Sequence, residues 1–127
     1  MISKVQVGNL KQRPEDTAGG LAAWKGLWQT DTETYKNLRI HFEESSGELV
    51  GTYRVPRQAS GISEGRIKGT VSGYALVGTW VERQGTRDIS GEIHFVLFDG
   101  GKAFLGEYTR EWEGSYEKHL WAGRKID

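Results

Sequence analysis

A five-residue pattern, in which an apolar residue, a glycine and an aromatic residue stand at alternate positions, recurs along this chain. It reads Leu-Val-Gly-Thr-Tyr at 49–53, Leu-Val-Gly-Thr-Trp at 76–80 and Phe-Leu-Gly-Glu-Tyr at 104–108, with a looser copy, Trp-Lys-Gly-Leu-Trp, at 24–28. Side chains two residues apart share one face of a β-strand, so each copy predicts a strand with a gap beside a ring. Internal repetition of this kind predicts an all-β chain built from hairpins.

Tight turn signals and longer polar stretches alternate between the segments of period two. Ser-Gly at 46–47, Ser-Gly at 72–73 and Asp-Gly-Gly at 99–101 are typical of hairpin turns. This order predicts an eight-stranded antiparallel up-and-down β-barrel, a meander whose closure removes exposed sheet edges. The predicted strands are 23–30, 36–43, 48–55, 65–71, 74–83, 91–98, 102–109 and 118–126.

The links of a meander emerge alternately at its two ends, so the three tight turns are expected together at one end of the barrel. The longer polar links are expected as loops at the other end. A barrel with one end ringed by loops is the usual form of a pocket with a mouth. Eight strands leave an interior that side chains fill or that holds one small ligand. The predicted loops are 31–35, 56–64, 84–90 and 110–117.

Composition narrows the classes of function. Lys and Arg together number 17, as do Asp and Glu, so the charge balance indicates neither a nucleic acid nor a membrane as partner. The chain has no cysteine, which excludes disulfides and thiolate metal sites and is compatible with a cytoplasmic location. No metal, phosphate-loop or Ser-His-acid motif is present, so we expect neither a metal nor a cofactor. Residues 1–22 are predicted as a flexible leader and 23–127 as a single barrel domain.

Several short motifs resemble those of the calycin-type barrels, meaning the lipocalins, the fatty-acid-binding proteins and above all the avidins. Gly-Leu-Trp at 26–28 matches their Gly-x-Trp signature, and the segment 49–53 is similar to the third strand of an avidin, whose tyrosine points at the ligand. The resemblance implies a ligand-binding barrel without identifying one family. It also implies that Trp112 lies in the seventh loop and reaches a neighbouring subunit, and that Arg124 packs against Trp28.

The repeats place an aromatic belt on the inward face, formed by Trp28, Tyr53, Trp80 and Tyr108. Polar residues follow one step closer to the predicted loops. Two interpretations of the belt remain open. The rings grip a flat or cationic ligand, or each ring fills the notch beside a neighbouring glycine in a solid core. Trp28 has a second position open to it, on the barrel floor beside Arg124. The predicted ligand-binding residues are Trp28, Thr30, Tyr53, Trp80, Glu82, Tyr108 and Arg110.

The functional hypotheses differ in the role of Glu82. Charged groups rarely point into a barrel unless they are paired with an opposite charge or bound to a ligand. In the leading hypothesis the barrel binds a small, partly apolar or aromatic molecule without catalysis, and Glu82 accepts a hydrogen bond from it. In the second, a cofactor-free cyclase or isomerase uses the same cavity, and Glu82 accepts a proton. A rim salt bridge of Glu82 with Arg110 or with a loop residue is the structural alternative.

An apolar set of side chains faces outward on the fifth to seventh strands. Patches of this kind on a barrel commonly mark an interface, so we expect a homodimer or tetramer. A protein-interaction module that uses the same patch together with Trp112 is the third functional hypothesis. The patch consists of Val77, Val81, Val96, Phe98 and Leu105.

Overall fold

Consecutive β-strands pair with each other along this chain. The computed structural model describes residues 20–57, 61–112 and 114–126. Within these ranges, one short helix precedes eight strands that form a closed antiparallel up-and-down barrel, with the last strand paired to the first. The predicted fold class is confirmed, and it agrees with the architecture of calycin-type barrels. The elements are α1 Leu21–Trp24, β1 Gly26–Thr32, β2 Leu38–Ser45, β3 Glu48–Arg57, β4 Gly61–Ser72, β5 Ala75–Gln84, β6 Arg87–Phe98, β7 Ala103–Trp112 and β8 Ser115–Lys125.

Alternation of apolar and polar residues sets which side chains enter the barrel. In β2, Leu38, Ile40 and Phe42 are buried, whereas the intervening Arg39 and His41 are exposed. The same alternation runs through β5 and β6. Because the side-chain period of a strand is two, a face of this composition can pack only with its apolar side inward.

Rings fill the barrel by lying against glycines of the neighbouring strand. A methyl group built on Gly65 would overlap the ring of Tyr53, its partner in the β3–β4 register, and one on Gly91 would approach the indole nitrogen of Trp80. Each of these rings therefore lies in a notch beside a cross-strand glycine. The cross-strand ring and glycine pairs are Phe42 with Gly51, Tyr53 with Gly65, Trp80 with Gly91, Phe95 with Gly106, and Phe104 with Gly123.

The start of the first predicted strand is wrong, because residues 21–24 form a helical turn. Gly26 has a φ of 117°, a conformation that favours glycine, and it joins the turn to β1. The turn lays the ring of Trp24 across one end of the barrel, where Trp28 Nε1 donates a hydrogen bond to the Trp24 carbonyl at 2.8 Å. The looser copy of the motif is therefore half helix and half strand.

A cluster of five rings, the aromatic floor, closes the end of the barrel beside α1. The Trp24 ring centroid lies 5.8 Å from those of Trp28 and Phe42 and 5.6 Å from that of Phe104. Phe95 and Phe104 stack at 4.5 Å. All five side chains are at most 1 % exposed, so this half of the barrel is solid.

Lys125 takes the position beside Trp28 that the resemblance implied for Arg124. Lys125 stands opposite Trp28 in the β1–β8 register, and its ammonium lies 5.8 Å from the ring centroid and donates to the Ala23 carbonyl at 3.0 Å. Arg124 points outward and pairs with Asp99 at 3.2 Å. A difference of one residue moves a side chain to the opposite face of a strand.

The predicted ring of long loops is also wrong, because the strands continue through most of the polar segments. β5 and β6 pair as far as Gln84 and Arg87, and β7 and β8 pair as far as Trp112 and Ser115. Trp112 thus ends a strand and does not lie in a long loop. A five-residue link, 33–37, separates β1 from β2. The polar composition of these segments indicates that their side chains are exposed to solvent. It does not exclude strands, because the backbone of an exposed segment can still pair with its neighbour.

The wall of the barrel has a lateral gap between β2 and β3. Their ladder runs from Ser45 and Glu48 to Ile40 and Tyr53 and stops there. The β3–β4 ladder continues four residues further, to Arg57. Beyond Tyr53, β3 therefore has a partner on one side only, and the wall opens sideways near the end opposite the floor.

The aromatic floor should carry much of the stability. We expect Trp24→Ala to lower the free energy of unfolding by about 3–5 kcal/mol, because it leaves a large void among four packed rings. Tyr116→Ala is the control, since Tyr116 is 65 % exposed and its loss should change stability by less than about 0.5 kcal/mol. Equilibrium unfolding in urea measures both. A loss below about 1 kcal/mol for Trp24→Ala would show that the floor is not tightly packed.

Four of the five predicted interface residues form one outer apolar patch. Ala75, Val96, Leu105 and Ala122 follow one another across β5 to β8 in register, and Val77 and Phe98 adjoin that row. Val81 lies apart from it, beside Arg66 and Ser90. The five predicted side chains, Val77, Val81, Val96, Phe98 and Leu105, are 37–54 % exposed.

Self-association through this patch remains a prediction. Covering it removes apolar surface from water, which contributes about 25 cal/mol per Å². We expect Val77→Glu to shift the protein to monomer in sedimentation or light-scattering measurements at high micromolar concentration. Thr79→Glu, two residues along the same exposed face of β5, should leave the mass unchanged. A wild-type monomer, or equal behaviour of both variants, contradicts this expectation.

Candidate functional site

A second set of rings, the mouth rings, lies at the end of the barrel away from the floor. Trp121 meets Tyr53 edge to face at 5.6 Å and Tyr108 at 5.3 Å, and Trp80 meets Tyr108 edge to face at 5.7 Å. Edge-to-face pairs of this kind are favourable and fix ring orientation. All four rings are buried. The repeated motif does not predict Trp121, because β8 lacks the motif. Like Tyr53 and Trp80, however, Trp121 stands opposite a glycine, Gly106, in the β7–β8 register.

The mouth rings border a small space, the mouth cavity, of about 50 Å³. Five of the seven predicted site residues meet there: Tyr53, Trp80, Glu82, Tyr108 and Arg110. Polar side chains of the β1–β2 link and of β5 complete the wall. These further lining residues are Thr32, Thr34, Tyr35, Leu38, Gln84 and Trp121.

Trp28 and Thr30 lie away from this cavity. Trp28 belongs to the aromatic floor, which is the second position that the sequence left open to it. Thr30 is 1 % exposed, and its hydroxyl donates to the Leu38 carbonyl at 2.8 Å and accepts from Trp121 Nε1 at 2.8 Å. Thr30 therefore holds the Trp121 ring in place.

Glu82 is 6 % exposed and turns its carboxylate to the mouth cavity. The Tyr53 hydroxyl donates to Glu82 Oε1 at 3.1 Å, and Gln84 Nε2 donates to Oε2 at 3.2 Å. A buried carboxylate is costly unless hydrogen bonds replace its water. These two neutral donors supply such bonds from β3 and from Glu82's own strand.

A hydrogen bond to β7 holds the ring of Trp80 in place. Trp80 Nε1 donates to the Thr109 carbonyl on β7 at 2.8 Å, across the notch at Gly91. Any side chain at Gly91 would meet both groups. Trp80 is therefore a rigid wall of the mouth cavity.

Burial and charge set the protonation of the two mouth tyrosines. Burial raises the pKa of Tyr53 far above its ordinary value, and the neighbouring Glu82 carboxylate raises it further. Burial also raises the pKa of Tyr108. The Tyr53 hydroxyl thus remains a hydrogen-bond donor through the neutral and moderately alkaline range.

A second group of ionisable side chains lies beside the mouth. The His119 ring lies 5.3 Å from the Tyr108 ring, tilted by 31°. Its nitrogens contact Glu117 at 3.0 Å and Glu33 at 3.2 Å. Hydrogen bonds to Glu117 and Glu33 raise the pKa of His119. The hydrogen bond from the Leu120 N–H is the main cause that lowers the pKa of Glu33, and the hydrogen bond with His119 lowers this pKa further. Among the residues that the structure describes, no three potential ligands converge as a metal site.

Comparison with known proteins gives no relative. No protein-family model matches the chain, and neither a curated protein nor a solved structure does. In the described part of the chain, no helix has the length and apolar character needed to cross a membrane. The functional proposal therefore depends on the geometry of the mouth cavity.

The raised pKa of Tyr53 predicts a loss of stability in alkali. Above about pH 10 the unfolded chain releases the tyrosine proton while the folded chain keeps it, so unfolding becomes easier by about 1.4 kcal/mol per pH unit. Tyr53→Phe should be less stable than wild type at pH 7, because Glu82 loses a donor, and the difference should shrink as the pH rises above about 10.

Urea unfolding at pH 7, 10 and 11 measures this difference. Tyr116→Phe serves as the control, because Tyr116 is largely exposed and its removal should leave the pH dependence unchanged. Parallel pH profiles for wild type and Tyr53→Phe would mean that Tyr53 ionises as it does in water.

Proposed function

We propose that this protein is a small-molecule-binding barrel whose ligand places a cationic or hydrogen-bond-donating group in the mouth cavity. One observation carries the proposal: the Glu82 carboxylate is buried and faces a cavity walled by aromatic rings. Ring faces attract cations through their quadrupole, and a carboxylate attracts them through its charge. The two effects act together on an amine.

The size of the mouth cavity limits what enters it. Pockets that enclose a drug-sized ligand measure roughly 300–1,000 Å³, whereas this cavity measures about 50 Å³. It therefore accepts one small group, such as an ammonium or a methylated amine. The remainder of a partly apolar ligand lies outside, where Tyr35, Leu38 and Tyr53 border both the cavity and a larger groove on the outer wall.

Binding accounts for the groups around Glu82 better than catalysis does. A cyclase or isomerase with Glu82 as proton acceptor needs a partner that returns the proton. Tyr53 is the side chain that donates to Glu82 Oε1, and its raised pKa makes it a fixed donor and a poor acid. The enzyme and the protein-interaction module remain predictions from the sequence.

The proposal is tested with small amines and their neutral isosteres. We expect phenethylammonium to bind more tightly than 2-phenylethanol, with a change in the fluorescence of Trp80 and Trp121 and a measurable heat. Glu82→Gln should weaken amine binding about tenfold, which corresponds to the loss of one charge-assisted contact. Glu92→Gln, an exposed position on β6, is the control of equal charge.

Native mass spectrometry of freshly purified protein complements this titration by revealing a ligand that co-purifies. The proposal fails if the amine and the alcohol bind equally. It also fails if Glu82→Gln and Glu92→Gln have the same effect.

A further inference from the structure

The outer wall carries a groove of about 1280 Å³ beside the lateral gap between β2 and β3. We call it the arginine groove, because Arg39, Arg54, Arg66 and Arg83 line it together with Lys36. Its acidic lining residues are Glu64 and Asp88. In a chain of zero net charge, this concave surface therefore has a local excess of positive charge.

Three of these arginines have no carboxylate partner among the residues that the structure describes. Arg83 pairs with Asp88 at 2.9 Å. Arg39, Arg54 and Arg66 form no ion pair with any residue in the ranges 20–57, 61–112 and 114–126. Glu64 stands opposite Arg54 in the β3–β4 register but makes no salt bridge with it.

Several other cations on the barrel surface are paired with carboxylates. Lys68 lies 3.4 Å from Glu48, Lys118 3.7 Å from Glu107, and Arg124 3.2 Å from Asp99. These pairs join neighbouring strands, as opposite charges on a sheet commonly do.

Strand register brings the three unpaired arginines together against that tendency. Arg39 and Arg54 come next after Ile40 and Tyr53, the last pair of the β2–β3 ladder, so they flank the lateral gap from its two sides. Arg66 lies on β4, diagonally across from Arg54. Like charges that face each other across strands are destabilising, and a departure from a local rule of this kind is expected at functional sites.

We propose that the arginine groove is an anion-binding site for a small molecule that bears a phosphate or carboxylate group. A guanidinium presents its donors as a planar fork that matches such oxyanions, and it does so more readily than an ammonium. An oxyanion between Arg39, Arg54 and Arg66 relieves their mutual repulsion. The groove adjoins the mouth cavity along Tyr35, Leu38 and Tyr53, but Arg39, Arg54 and Arg66 do not line that cavity. The anion proposal therefore does not depend on the function proposed for Glu82.

Thermal unfolding and calorimetry of the full chain test the site with inorganic phosphate and with citrate. Each is compared with sodium chloride at equal ionic strength, since salt alone screens the repulsion. We expect phosphate or citrate to raise the Tm more than chloride does, because a ligand that binds the folded state stabilises it. The double variant Arg39→Gln/Arg54→Gln should lose this excess and bind at least about tenfold more weakly.

The control is Lys118→Gln/Arg124→Gln, which removes the same charge from β8 and should leave the anion affinity unchanged within about twofold. Glu64→Gln should strengthen anion binding, because it removes an unpaired carboxylate from the groove. Each variant is also measured without anion, where Arg39→Gln/Arg54→Gln should be at least as stable as wild type.

Three results would overturn the proposal. In the first, chloride reproduces the full effect of phosphate and citrate. In the second, the control double variant matches the groove variant. In the third, the chain binds phosphatidylglycerol vesicles or duplex DNA but neither free anion. The amine titration of the mouth is separate from all three, so failure at one site leaves the result at the other intact.

Discussion

Ring packing against cross-strand glycines is the constraint on which the rest of this barrel depends. Five strands supply a glycine where a neighbouring strand supplies a ring, and a side chain at such a glycine would overlap its partner. This pairing lets large aromatic residues fill a narrow eight-stranded barrel without widening it. It also decides where space remains, because the aromatic floor is solid and the rings near the mouth leave only a small cavity.

Polar contacts at the mouth turn that remaining space into a defined site. The Thr30 hydroxyl orients Trp121 from below, the Thr109 carbonyl holds Trp80 from the side, and the Tyr53 hydroxyl fixes the carboxylate of Glu82. The first bond links the neighbouring strands β1 and β8, whereas the other two link β5 to β7 and β3 to β5 across the strand that lies between them. These bonds hold the rings and the carboxylate that border the mouth cavity in fixed positions.

The sequence predicted the strands and their inward faces because period-two alternation and the glycine-aromatic motif report directly on packing. It failed where the signal was only polarity: the segments 84–90 and 110–117 are largely paired strands, not loops. The resemblance to calycin-type barrels also assigned Arg124 the position beside Trp28, which Lys125 occupies instead. A sequence motif indicates which residue types are present, whereas the register of the paired strands determines which face of the sheet each side chain occupies.

The candidate site was predictable in part for the same reason. Tyr53, Trp80 and Tyr108 belong to the repeated motif, and Glu82 and Arg110 extend its inward series by one step. Trp121 has no motif of its own, and the volume of the mouth cavity depends on how rings from different strands share one interior. The unpaired arginines of the outer groove depend on register across β2, β3 and β4, which composition does not encode.

The two ends of the barrel differ in what holds them, and this has a consequence for motion. Around the floor, backbone ladders are covered by five buried rings, so their amides exchange with solvent only when the whole barrel opens. Beyond the mouth rings, the hairpin ends near Gln84 and Ser115 are held by ladders with little apolar cover, and such segments open locally at low cost in free energy. The hairpin ends are therefore expected to open and close on a timescale that is independent of the unfolding rate of the protein.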